Sequence, residues 1–327
     1  MLTYTIRRTI QAIPLLLFIS VVLFLILHQM PGGPLAPYMA NPHITEADIA
    51  RLKHNFGLDR PLYVQYFSWA FHVLKGDWGW STMNSTPVTE AIFQRLPATL
   101  LLMGISFVVS AAVGVFFGIL AAVKPYSLWD YFVTTFAFFG MSMPVFWFAI
   151  MLQMLLAVNG IHFQKFGYAF DFSLPSAGMT STEGGDFSDR VRHLVLPVIV
   201  LSLLQVATWS RFTRASMQEV LHTDYMRTAA AKGLTFLRII LKHGMKNALM
   251  PVVTIAALSL PGLAGGAVIT EQIFAWPGMG RLFYTALTQQ DFSLLMGYLV
   301  LISVLVVFFN LIADLAYGWL DPRVKYD

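Results

Sequence analysis

The chain has 327 residues, of which 57% are hydrophobic and only 12% charged, and its formal net charge is +4. A soluble domain carries about 25% charged residues, so a chain this poor in charge cannot cover a water-facing surface, and the bilayer is the solvent that fits. The absence of cysteine excludes a disulfide framework, a thiolate zinc site and a Cys nucleophile, and the small net charge argues against nucleic-acid binding.

Arg7 and Arg8 precede an uncharged apolar run over residues 9–27. That run exceeds a signal-peptide core of about 7–15 residues and leads into Pro31-Gly-Gly-Pro34, so it reads as a retained signal-anchor and first span, not a cleaved signal. Five further uncharged runs follow at residues 96–123, 131–164, 193–210, 247–270 and 292–313, each bracketed by charges. Each is long enough to cross about 30 Å of hydrocarbon, where backbone polar groups must be satisfied internally, so all six are predicted as helices.

Orientation follows from Lys and Arg in short loops. Residues 211–246 hold Arg211, Arg214, Arg227, Lys232, Arg238, Lys242 and Lys246 against only Glu219 and Asp224. That excess places this loop, and with it both chain ends, in the cytoplasm. The long segment 31–95 is balanced in charge and falls outside. Within it, Thr45 followed by Glu46 and Asp48 predicts the start of a short helix over 44–53, and residues 62–74, with Trp69 and Phe71, predict a second helix at the outer interface. Residues 159–192, rich in Gly, Ser, Phe and Asp, read as an irregular loop. Gly114…Gly118 and Gly262…Gly266 are small-residue spacings that let helices approach closely, which packing within one subunit explains.

Catalytic sets are missing. There is no G-x-x-x-x-G-K-[ST], no H-E-x-x-H and no G-x-S-x-G, and no two of the eight histidines lie within five positions. Asp130 and Asp291 open their spans, where the helix dipole favours an acid; Asp314 sits near the end of the last span, where it opposes one and calls for a partner or water. The informative stretch is Tyr225-Met-Arg-Thr-Ala-Ala-Ala-Lys-Gly233: a short Ala-rich helix ended by Gly on a basic loop. Physics alone leaves two readings open, a docking surface of little bulk and a helix lying on anionic lipid.

Arg227-Thr-Ala-Ala-Ala-Lys-Gly233, with Asn247-Ala-Leu-Met-Pro251 beyond it, resembles the coupling loop of permease subunits of ATP-binding-cassette (ABC) importers. Other blocks resemble the dipeptide/oligopeptide branch: Tyr4-Thr-Ile-Arg-Arg8, Pro31-Gly-Gly-Pro34, Gly57-Leu-Asp-Arg-Pro61, Gly76-Asp-Trp-Gly79, Arg95-Leu-Pro-Ala-Thr99, Glu271-Gln-Ile-Phe-Ala-Trp-Pro-Gly-Met-Gly280 and Asp321-Pro-Arg323. Two departures stand out: Arg227 occupies the place where the family loop often has Glu, and Gly33 replaces the acid of a Pro-Gly-Asp-Pro turn.

The resemblance implies an all-α integral membrane protein of the type I ABC-importer permease fold, with six transmembrane helices, both termini cytoplasmic and an external helical segment between the first two spans. Its parts would be a start and first span over 1–30, an extracytoplasmic segment over 31–95, a permease core over 96–316 with the coupling loop at 211–246, and a cytoplasmic tail over 317–327. The chain would sit in the cell membrane of a prokaryote and import di- or oligopeptides delivered by an external substrate-binding protein. It would pair with a second, homologous permease subunit and two cytoplasmic ATPase subunits, which would bind ATP and Mg; this chain itself would need no cofactor and catalyse no reaction. Tyr225, Arg227, Thr228, Ala229, Ala230, Ala231, Lys232, Gly233, Asn247 and Pro251 would form the ATPase-coupling loop. The alternatives are a secondary transporter driven by an ion gradient, an importer of nickel, glutathione or oligosaccharide, and, least supported, an intramembrane enzyme.

Overall fold

A computed structural model describes residues 2–39, 43–165, 168–181, 184–263 and 265–320; the tail block at 321–323 lies outside them. The described chain is overwhelmingly helical, with two small hairpins. Helix α1, Leu2–His28, is followed by two short helices, α2 at Glu46–Asn55 and α3 at Leu62–Leu74. Thr45 and Asp48 form a reciprocal capping box at the start of α2, as the Thr-plus-acid pattern leads one to expect. Helix α3 lies against α1: Tyr66 shares a hydrogen bond with Ser20, and the rings of Tyr66 and Trp69 pack at 5.5 and 5.7 Å from that of Phe24. A hairpin of β1, Trp80–Ser81, and β2, Thr86–Pro87, then turns the chain into α4, Val88–Val123.

Helix α5, Leu128–Ser142, and helix α6, Val145–Val158, meet at an angle of 105°. Met143 and Pro144 break the helix there, because proline disfavours the helical conformation of the residue before it. The run 131–164 is therefore not one straight span. The expected irregular loop over 159–192 also differs: Ile161–Lys165 (β3) and Tyr168–Phe172 (β4) pair as an antiparallel hairpin, and α7 already starts at Phe187. Helix α7, Phe187–Leu221, is longer than the apolar run 193–210 at both ends, since charged residues outside hydrocarbon continue a helix freely. For the same reason α4 begins at Val88, within the segment 31–95.

Beyond α7 come α8, Asp224–Ala231, then α9, Phe236–Ala248, and α10, Met250–Leu263, bent by 48° at Leu249. Pro251 at the second position of α10 lacks the N–H that would continue the ladder from α9. Thr270, expected inside the fifth span, belongs to a separate short helix α11, Val268–Ile273. Helices α12, Met279–Thr288, and α13, Phe292–Leu320, complete the chain. Among the described residues four helices are long and apolar enough to cross a membrane, or up to six spans if each bent pair counts as one.

The centre of the bundle is the α4–α7 pair. A Cβ on Gly114 would stand 2.8 Å from the Trp209 Cβ, and one on Gly118 only 2.5 Å from the Thr213 Cβ and 2.7 Å from the Ser210 carbonyl oxygen. Only glycine lets the two backbones come so close, so the spacing Gly114…Gly118 serves a contact inside this chain. Gly262 and Gly265 meet no neighbour within 4 Å. At the end of the bundle away from the basic loop, Phe24, Val88, Ile92, Met279, Leu294 and Met296 close a core joining α1, α4, α12 and α13.

Candidate functional site

The segment 211–246 is not a single loop. Arg211 and Arg214 lie on α7, and the first break comes at His222 and Thr223. Helix α8 then forms a separate eight-residue unit, stopped by Gly233 with φ +76°, whose N–H donates to the Ala230 carbonyl. A left-handed residue just past a helix is the usual glycine stop, and no other atom crowds that position.

Met226 and Ala229, three residues apart, share one face of α8, and that face turns inward. Met226 and Ala229 are buried against Ala122 of α4, Met217 and Val220 of α7, and Ile239, Ile240 and Ala248 of α9. Ala229 therefore packs on the inward face of α8, within this chain. Tyr225, Arg227, Thr228, Ala230, Ala231, Lys232 and Gly233 are all exposed. The exposed strip has low bulk at its centre, Ala230–Ala231, and cations at Arg227 and Lys232; Asp224 lies 3.5 Å from Arg227, a surface pair worth little.

Two further features hold α8 in place. The Asn247 Nδ2 donates to the Tyr225 hydroxyl at 2.9 Å, so these two expected site residues meet across α8 and α9. Gly244 closes a wide turn over Ile240–Gly244, where a Cβ would stand 2.9 Å from the Met217 Cε and 3.2 Å from the Met226 Cε. Pro251 is exposed and remote from the α8 strip in role: it sets the bend between α9 and α10.

Charged groups that sequence reading left without partners find them here. Asp130, behind the Ser127 cap of α5, receives the Arg214 Nε at 2.6 Å and Nη2 at 2.8 Å, a two-pronged ion pair between α5 and α7. Asp314 of α13 lies 3.3 Å from the Arg8 Nε of α1. Asp291 caps α13 through the Leu294 N–H, and also accepts from the Ser81 hydroxyl and the Met83 N–H, fastening the first hairpin to the last helix.

A buried polar joint escaped sequence reading altogether. Glu271 is fully buried on α11. Its Oε1 accepts from the Thr99 hydroxyl at 2.9 Å and, at 3.4 Å, from the Ala267 N–H; its Oε2 accepts from the Arg281 N–H at 2.9 Å. Thr99 Oγ1 in turn accepts from the Met279 N–H, and the Trp276 indole donates to the Ala98 carbonyl. A Cβ on Gly278 would fall 2.5 Å from both Glu271 and Thr99, so the block ending in Gly278 and Gly280 is shaped around that carboxylate. Burial pushes the Glu271 carboxyl up, and the N–H and hydroxyl donors oppose that shift. Two of the sequence blocks, 95–99 and 271–280, are thus the two halves of one joint; the signal was present as clustered Thr, Gly and a lone acid, but nothing in it showed that they meet.

An apolar helical bundle of this kind, its one small-residue helix held out at the basic end, is a multi-pass membrane protein. Residues 114–326 match the family of binding-protein-dependent transport system inner membrane components, and residues 1–103 match the N-terminal family of such membrane components. The chain belongs to this family and is a permease of the inner membrane. It is similar over its whole length to the oligopeptide transport system permease protein AppB of Bacillus subtilis (43% identity over 329 residues, all of both chains). It is also similar to the dipeptide transport system permease protein DppB of Escherichia coli K12 (38% over 337 residues, 100% and 99% of the two chains). The di/tripeptide permease DppB of Pseudomonas aeruginosa is 35% identical over 335 residues, with 100% and 99% covered.

Proposed function

We propose that this chain is one of two homologous permease subunits of an ATP-driven importer of di- or oligopeptides. In this reading the bent pairs α5–α6 and α9–α10 each make one span, giving six, with the basic loop and both ends in the cytoplasm. Two cytoplasmic ATPase subunits bind ATP and Mg, an external binding protein delivers the peptide, and this chain carries no cofactor and catalyses nothing. The full-length likeness to relatives named for peptide transport supports peptides over nickel, glutathione or oligosaccharides.

The observation that carries the coupling role is the two-sided character of α8. Its exposed strip, Tyr225, Arg227, Thr228 and Ala230 to Gly233, offers a low, cationic ridge, while Met226 and Ala229 key it to α4, α7 and α9. A helix docked on an ATPase by one face and on three transmembrane helices by the other passes on rigid-body motion with little slack. Closure of the ATPases moves the spans only because ATP binding favours one arrangement of the transporter over the other. With Arg227 in place of the family's acid, the contact with the ATPase carries positive charge at that point.

The test is peptide uptake by proteoliposomes holding both permeases and both ATPases, with the loaded binding protein on the delivery side. Uptake that requires ATP and the binding protein is the expected result. Uptake driven by a proton or sodium gradient without ATP would overturn the reading. Bulky replacement at Ala230 or Ala231 is expected to separate ATP hydrolysis from uptake while the complex still assembles; normal coupling in such variants would remove α8 from the pathway.

A further inference from the structure

Arg211 does not belong to the basic loop in space. It stands on α7, ten residues before that helix ends, and its guanidinium lies against Phe138 and Met141 of α5. The Nη1 lies 3.2 Å from the Met141 Sδ, and the guanidinium carbon 5.6 Å from the centre of the Phe138 ring. Met141 is eleven residues along α5 from Asp130, about 16 Å of helix, against a hydrocarbon core of about 30 Å. Arg211 is the first residue past the apolar run 193–210, and its side chain brings a cation beside the break at Met143 and Pro144, within the apolar run of α5.

That cation has no ion-pair partner among the described residues. The nearest acid on α5, Asp130, is engaged by Arg214. Guanidinium carries five N–H donors; the Met141 sulfur is a weak acceptor, and the Phe138 ring takes up one face without occupying the donors in the plane. A lone guanidinium facing hydrocarbon is costly, so such groups face a bundle interior or a water-filled cavity. Leu204, Thr208, Arg211 and Ala215 fall on one face of α7 and none of them is fully buried, although α7 is the most enclosed of the four long helices. The second half of the central helix thus presents an uncovered strip that carries the charge, beside further exposed residues at Ile199 and Phe212.

We infer that Arg211 is a carboxylate-binding residue of the translocation path, holding the C-terminal carboxylate of the peptide partway across the membrane. The inference rests on the peptide-import reading above. A guanidinium offers two parallel N–H donors that match a carboxylate, and every linear peptide with a free C-terminus brings one whatever its side chains. A single fixed cation therefore suits a cargo of variable sequence, and the Phe138 ring and Met141 keep it aimed without competing for the anion. A lipid phosphate is the other anion of matching chemistry.

The experiment uses the complete reconstituted complex, with the binding protein loaded to saturation by tetra-alanine or by its C-terminal amide, so that selection by the binding protein drops out. Arg211→Gln is expected to slow uptake of the acid by about tenfold to a hundredfold, as for loss of a charge-assisted hydrogen bond, and to leave the amide unchanged. Equal loss for both, the result for a lipid anchor or a structural role, overturns the assignment, and so does no loss. If the unaltered complex moves neither tetrapeptide, the peptide-import reading itself falls, and Arg211 with it. Because the chain has no cysteine, Arg211→Cys gives a second measurement. With cysteine-free partner subunits, an aminoethyl thiosulfonate should react from water and restore uptake of the acid, while a methyl thiosulfonate should react without restoring it. An unreactive thiol, or equal effects of the two reagents, overturns the assignment.

Discussion

Replacing Glu271 tests whether the joint between residues 95–99 and 271–280 is held by that carboxylate. Glu271→Leu keeps most of the volume and removes both acceptors, leaving the Thr99 hydroxyl and the Arg281 N–H without partners in a site closed to water. Each orphaned donor costs about 1–3 kcal/mol, so the variant should lose about 2–6 kcal/mol; the long Ala267 contact adds little. In a chain of this size about 1 kcal/mol corresponds to about 2 °C of melting temperature, so the midpoint should fall by about 4–12 °C. Glu271→Gln keeps one acceptor and turns its amide N–H groups toward the other donor, so it should fall between the two. The assay is the thermal midpoint of the purified complex in lipid nanodiscs, with Thr99→Val as the second arm of a double-mutant cycle. Because Thr99 and Glu271 share one hydrogen bond, the double variant should lose less than the sum of the singles. A Glu271→Leu variant as stable as Glu271→Gln, or strict additivity with Thr99→Val, would refute the reasoning. Since burial raises the Glu271 pKa, the folded chain binds that proton more tightly than the unfolded one. The stabilisation is complete at low pH and is lost as pH rises from the ordinary Glu range through the raised folded value, a slope that Glu271→Gln should abolish.

Gly118→Leu should part α4 from α7 and cost at least about 1–3 kcal/mol, read as lost yield of assembled complex, whereas Gly104→Leu, where no atom lies within 4 Å, should be tolerated. Gly233 has a left-handed backbone in open space, so Gly233→Asn should preserve the ratio of ATP hydrolysis to uptake better than Gly233→Val; equal effects would show that conformation is not what the position requires. Asp314→Asn should shift the melting midpoint by no more than about 1 kcal/mol would, because both partners of the Arg8 pair are partly exposed.

The apolar runs were legible because charge stops at hydrocarbon, and the Thr45 cap because it works within four residues. The extent of α4 and α7 was not, since helices pass beyond the membrane into charged sequence that looks like loop. The break at Met143–Pro144 carried a visible signal, a proline in an apolar run, but proline alone does not say whether a helix kinks or turns through 105°. The inward face of the Ala triplet was not legible, because the triplet has no pattern of its own; only the packing of Met226 three residues earlier shows that Ala229 turns inward. The partners of Asp314, Asp291 and Glu271 stand 306, 210 and 172 positions away, Arg8, Ser81 and Thr99 respectively, and no local rule reaches so far.

The glycine contacts between α4 and α7 have a mechanical consequence. Interlocked at Gly114 and Gly118, two helices of 36 and 35 residues act as a single beam. One end of the beam carries Thr99 and the joint around Glu271; the other carries Ala122 and Met217, on which α8 rests. If α8 couples to an ATPase as proposed, a push there that tilted a beam of about 54 Å by about 10° would carry the far tip through about 9 Å, a displacement as wide as a peptide chain.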